Sequence, residues 1–153
     1  MATKLKVKKG DACLLWMSSH GREEGFYMVG QEFLTPNELD RILDKTCGEN
    51  PTVIMVSACH SGVFLELQAN HRVILTAAHR DKTSFGCGVK NVYTFWDQCI
   101  LKYYPWSKTF EGLSYRSNIC IKNREGEEDV IPSEPQAFFG KNVRYLVVPR
   151  PKR

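Results

Sequence analysis

Three short runs of apolar residues stand out along the chain: ACLLWM at 12–17, TVIMVS at 52–57 and RVILTAA at 72–78. None alternates with polar residues. Each is bounded by small or polar positions, the pattern of strands buried on both faces of a parallel sheet. Between the first two lies TPNELDRILDKTC, whose apolar positions Leu39, Ile42 and Leu43 recur at helical spacing. Thr35 is placed to cap this helix, Pro36 takes its first position and Glu38 completes a capping box, while Gly48 and Pro51 stop it. A strand, a helix and a second strand in this order predict a right-handed parallel crossover. The intervening REEGFYMVGQEFL, 22–34, reads as a short hairpin or an irregular excursion.

Further along, Val92, Phe95, Trp96, Cys99, Ile100 and Tyr103 share one face of a predicted helix. Phe110, Leu113, Ser117, Cys120 and Ile121 do the same over 109–123, and VRYLVV, closed by Pro149, reads as a last strand. With no repeat or linker, residues 12–149 form one domain, between a basic segment, 1–11, and a tail, 150–153.

Composition narrows the function classes. A chain of 153 residues, 42% hydrophobic and 25% charged, has the size and make-up of one soluble domain with its own core. The net charge of +4 draws on two ends, TKLKVKKG and PRPKR, which read as solvated tails. Lys and Arg are nowhere concentrated on a face with interleaved aromatics, so nucleic acid is not an expected partner. No apolar run reaches the length of a membrane span, and the start lacks the apolar core of an export signal. Six cysteines without such a signal predict free thiols and a reducing, cytoplasmic location. Cys13, Cys99 and Cys120 fall on apolar faces and read as core residues.

The chemistry gathers where the strands end. SSHG follows the first strand and SACHSG the second, so His20 and Cys59 fall at the carboxyl edge of adjacent parallel strands, where ligands bind in open α/β sheets. A thiolate attacks carbonyls, an imidazole takes and returns the proton, and backbone amides in a tight turn of small residues hold the oxyanion. These needs assign Cys59 as nucleophile, His20 as general acid and base, and the amides of Gly21 and Cys59 as oxyanion donors. Zinc ligands usually come in close pairs. The Cys and His spacings here are scattered, so neither a metal nor another cofactor is expected.

The motifs SSHG, SACHSG, ILTAAHRDKTSFGC and SEPQAFFG, in that order over residues 12–149, resemble the legumain-type (C13) cysteine peptidases, especially their bacterial branch, in the caspase-like clan. The resemblance implies an α/β fold, a caspase-like αβα sandwich with a mostly parallel sheet. It also implies a His20–Cys59 dyad that needs no third catalytic residue, a thioacyl-enzyme intermediate, and peptide or protein substrates. In that fold two strands and a helix precede the histidine-bearing strand, whereas about eleven residues do here. The expectation is therefore a sheet lacking its usual N-terminal strands, as a fragment or short gene product, or one completed by a partner. A homodimer through paired 12–17 edges is the specific form of the second. Where relatives often carry an acidic or aromatic residue after the nucleophile, His60 puts a second imidazole beside the thiol. Around the pocket that receives the substrate side chain, the candidates are Ser57 and Thr76, with Arg80, Asp81 and Lys90 in the following loop; Arg80 and Asp81 are equally placed to pair with each other. The alternative function is a catalytically weak or inactive module of the same fold, used for binding or assembly.

Overall fold

A computed structural model describes residues 7–30, 32–88 and 91–150. Its main sheet has the order β1 (Cys13–Ser18), β5 (Thr52–Ser57), β6 (Arg72–Thr76), β7 (Gln136–Phe139); the first three strands are parallel and β7 is antiparallel to β6. A second, three-stranded antiparallel sheet is formed by β2 (Gly21–Arg22), β3 (Gly25–Tyr27) and β4 (Phe33–Leu34) within the excursion between β1 and the first helix.

The unbroken apolar runs become strands covered on both sides. In β5 and β6, Val53, Met55, Val73 and Leu75 point into one core, which they share with helices α2 (Phe95–Tyr103) and α3 (Phe110–Glu127). The alternate residues Ile54, Val56 and Ile74 enter a second core beneath α1 (Pro36–Thr46) and a 3₁₀ turn over Ser61–Leu67. This two-residue period divides the helices between the faces and makes the fold a caspase-like αβα sandwich.

Local signals place α1 as the sequence predicts. The Thr35 hydroxyl accepts from the Glu38 N–H, and the Glu38 carboxylate accepts from the Thr35 N–H at 2.9 Å. Leu39 and Leu43 are buried, but Ile42, expected on the same inward face, is 47% exposed. It sits on the shoulder of the helix, over an apolar groove it shares with Leu14, Leu15, Met28 and Leu34.

Three other expectations are corrected. VRYLVV is not a strand: residues 141–145 form turns, and Val147 makes one isolated bridge to Thr109. The position beside β6 that a last strand would take is occupied by Gln136–Phe139 of the SEPQAFFG motif. Val92 is not on the inward face of α2. Thr94 caps that helix by accepting from the Asp97 N–H at 3.0 Å, which leaves Val92 before its start and 88% exposed. The expectation of free thiols also fails for four of the six cysteines: Cys13 is bonded to Cys47 and Cys99 to Cys120, leaving Cys59 and Cys87 free.

β1 lies at the edge of the sheet. The Cys13 and Ser19 N–H groups donate to the Pro51 and Ser57 carbonyls at 2.8 and 3.1 Å, so the odd-numbered residues bond to β5. The backbone groups of Leu14, Trp16 and Ser18 consequently face away from the sheet, and no described strand pairs with them.

Candidate active site

The site forms where β1 and β5 end. After Ser19 completes its bond to β5, the chain turns out of the main sheet, and the His20 carbonyl accepts from the Tyr27 N–H at 2.9 Å. His20 is thus the hinge between the two sheets, with its ring exposed. Immediately beyond β5, Ala58 is buried and Cys59 half-buried.

Gly21 ties the two strand ends together. A Cβ on this residue would lie 2.3 Å from the Cys59 carbonyl oxygen and 2.9 Å from the Ala58 Cβ. Only a residue without a side chain lets the strand ends lie this close. Gly62 is similarly confined, since a Cβ there would stand 2.5 Å from the Arg80 nitrogen.

The thiol faces the loop after β6. The Ser84 N–H donates to the Cys59 Sγ at 3.3 Å, and the Ser84 carbonyl is 3.6 Å from the same sulfur. The Cys59 N–H meets no acceptor among the described residues. His60 adopts a left-handed backbone, φ 56°, and its Nδ1 lies 2.8 Å from the Arg80 carbonyl. The second imidazole is therefore engaged by the loop.

A cleft of about 350 Å³ opens beside His20. It is lined by Ser18, Ser19 and His20 from the end of β1, by Gly86, Cys87, Tyr93 and Thr94 from the segment before α2, and by Asp97. Asp97 is 6% exposed. Its carboxylate accepts from the hydroxyls of Ser18 and Ser57 at 2.8 Å and Thr94 at 3.0 Å, and from the Trp16 indole N–H at 3.1 Å. These donors offset the desolvation of a buried charge. Burial, reinforced by the charges of Cys59 and Asp97, pushes the Cys87 thiol above its ordinary pKa. A second cleft, of about 430 Å³, lies on the other flank of His20, between Arg22, Tyr27 and Phe33.

The structure brings His20, Gly21 and Cys59 together; of the residues proposed for substrate binding, Ser57 is fully buried with its hydroxyl on Asp97 and does not line the cleft beside His20, and Thr76, Arg80 and Asp81 lie apart from it. Thr76 is wholly buried, its hydroxyl donating to the Ala78 and Gln136 carbonyls at 3.3 and 3.4 Å. Arg80 and Asp81 do not pair with each other: Arg80 reaches Glu66 at 3.5 Å, and Asp81 lies 3.5 Å from the His79 ring. None of these three lines the cleft beside His20. Lys90 lies outside the described residues.

Asp97 was missed by a reading based on hydrophobic spacing. The sequence signal that could have found it is Thr94 followed three residues later by an acid, a helix start that brings a carboxylate up to the strand ends.

The sequence model of the Peptidase C13 family matches residues 2–105, which include β1, β5, β6 and both free cysteines. The chain belongs to the Peptidase C13 family. It is by membership a cysteine-type peptidase of legumain kind, a hydrolase acting on peptides or proteins. A search of the curated proteins returned no match. Among the described residues of this C13 chain, no cluster of His, Cys, Asp and Glu could hold a metal, and no helix is long and apolar enough to cross a membrane.

Proposed function

We propose that this chain is an endopeptidase in which Cys59 and His20 act as a dyad. The Cys59 thiolate attacks the scissile carbonyl, and the oxyanion is held by the N–H groups of Cys59 and Gly21. His20 protonates the departing amine, leaving a thioacyl-enzyme. It then takes a proton from the incoming water as that water attacks the thioester, and the thiol is released. The observation that carries this reading is the contact of Gly21 with the Cys59 backbone, which makes neighbours of two strand ends 39 residues apart in sequence.

In this reading the residue before the scissile bond extends its side chain into the cleft that Asp97 lines, and flanking residues lie along the cleft between Arg22 and Phe33. The alternative, an inert binding module, gives no chemical reason to keep both a thiol and an imidazole at one rim. Labelling separates the two. Iodoacetamide or a peptidyl epoxide should modify Cys59 selectively well below pH 8 and lose that selectivity in His20→Ala. Equal, slow modification of Cys59 and Cys87 would overturn the peptidase reading.

For the open edge of β1 we infer a second copy as partner, two Leu14–Ser18 edges pairing about a two-fold axis. The outward-facing backbone groups support this, because an unpaired, apolar edge is a template for another strand. Light scattering at high concentration should give a dimer that Leu14→Lys disrupts; a monomeric native chain would exclude the pairing.

A further inference from the structure

With four cysteines joined in pairs, the two remaining thiols are Cys59 and Cys87. Cys87 is in the wall of the cleft that His20 borders. Cys59 bonds through its sulfur to Ser84, three residues before Cys87 on the same loop. That loop is anchored on both sides of its turn. Ser84 is held at the Cys59 sulfur, and the Phe85 carbonyl accepts from the Phe95 N–H at 3.0 Å. Gly86, at φ +97°, packs so closely on the start of α2 that a Cβ would stand 2.7 Å from the Phe95 nitrogen. Cys87 is the next residue and is solvent-accessible, followed by Gly88, where an added Cβ would meet nothing within 4 Å among the described residues.

We propose that Cys59 and Cys87 form an oxidation couple that closes the site reversibly, a regulation of the dyad that rests on the peptidase reading for its effect on activity. A peroxide is the oxidant. The Cys59 thiolate attacks one peroxide oxygen, the O–O bond breaks, and Cys59 becomes a sulfenic acid as hydroxide (or alkoxide) leaves. The Cys87 thiol then attacks the Cys59 sulfur; the S–O bond breaks, the Cys87 proton leaves with the sulfenic oxygen as water, and a Cys59–Cys87 disulfide forms. Two thiols are oxidised by two electrons and the peroxide is reduced by two. Closure requires the two Cα atoms to come within about 7 Å. The product blocks the nucleophile and draws the cleft wall over it. A thiol restores it by exchange, whereas an unprotected cysteine would proceed to the irreversible sulfinic acid.

The roles are set by position and by charge. Cys59 carries a hydrogen-bond donor at its sulfur and lies beside the imidazole-bearing strand end, so it is the thiol oxidised first. Cys87, kept protonated by burial and by the neighbouring charges, acts second.

The test oxidises the full chain with hydrogen peroxide and maps it by mass spectrometry after non-reducing trypsin digestion. The native chain should join peptide 83–90 to peptide 46–72 through Cys87 and Cys59, with loss of two hydrogens, alongside the Cys13–Cys47 link. In Cys87→Ser the same treatment should carry Cys59 to a sulfinic acid with gain of two oxygens, at least ~10-fold faster than in the native chain. Equal over-oxidation of Cys59 in both proteins, or no 83–90 cross-link, would overturn the proposal. Since the readout is the covalent state of the cysteines, it distinguishes failure of the couple from failure of the peptidase reading, which the labelling of Cys59 and His20→Ala decides separately.

Discussion

Gly21 stands against the Cys59 backbone with no room for a side chain: an added methyl would come within 2.3 Å of the Cys59 carbonyl oxygen. Gly21→Ala must therefore push apart the two segments that carry the thiol and the imidazole. Overpacking of this kind costs roughly 1–3 kcal/mol, and a displacement near 1 Å at a reacting centre costs on the order of 100-fold in rate. Peptide hydrolysis should fall by about that factor in kcat/KM, while the variant still unfolds cooperatively in urea. Wild-type activity in Gly21→Ala would sever the link between this contact and catalysis.

Asp97 gathers four donors from β1, β5 and the N-cap of α2. Removing the carboxylate leaves the fully buried Ser57 hydroxyl with only the Thr94 hydroxyl, 3.1 Å away, as partner. Asp97→Ala should lose about 2–4 kcal/mol in denaturant unfolding, whereas Trp16→Phe, which removes one donor of the four, should lose about 1 kcal/mol. A peptide library should also show substrates with Asp or Glu before the scissile bond cleaved at least ~10-fold more slowly than their amides, because a second carboxylate would face the first. Preferential cleavage after Asp would place the substrate side chain elsewhere.

The disulfides make a graded prediction. Cys13–Cys47 spans 34 residues and Cys99–Cys120 spans 21. Loop-closure entropy assigns about 4 and 3 kcal/mol to them, so replacing the first pair by alanines should lower the unfolding midpoint more than replacing the second. Unchanged midpoints in both double variants would mean that these cysteines contribute as unpaired residues.

The direction of the Cys87 shift fixes a pH dependence. Burial and the charges of Cys59 and Asp97 disfavour its thiolate. The pH midpoint for alkylation of Cys87 by iodoacetamide should therefore lie above the ordinary ~8.5 of a thiol, and Asp97→Asn should move it down. A midpoint at or below that value would show that the thiol does not feel these neighbours.

Much of the fold is legible because its signals are local. The capping box of α1 is written in four consecutive residues, and the parallel strands announce themselves as unbroken apolar runs between polar boundaries. VRYLVV misleads for the same reason: its Val143 and Val148 do enter the core, but Gln136–Phe139 already holds the ladder position on β6, a competition between distant segments. That His20 and Cys59 follow adjacent parallel strands is read from strand order alone. The place of Asp97 in the cleft is not, because Asp97 acquires its role from Ser18, Ser57 and Trp16, which approach it from two other elements. Cysteine pairing is hidden likewise, since apolar spacing puts Cys99 and Cys120 on inward faces without saying that those faces meet.

Each cross-link closes within its own layer: Cys13 and Cys47 belong to the α1 side of the sheet, Cys99 and Cys120 to the α2 and α3 side. No covalent tie crosses the central strands, so the two helical coats are fastened independently. Reduction of one would loosen its own coat and leave the other, and the sheet between them, to hold the strand ends in register.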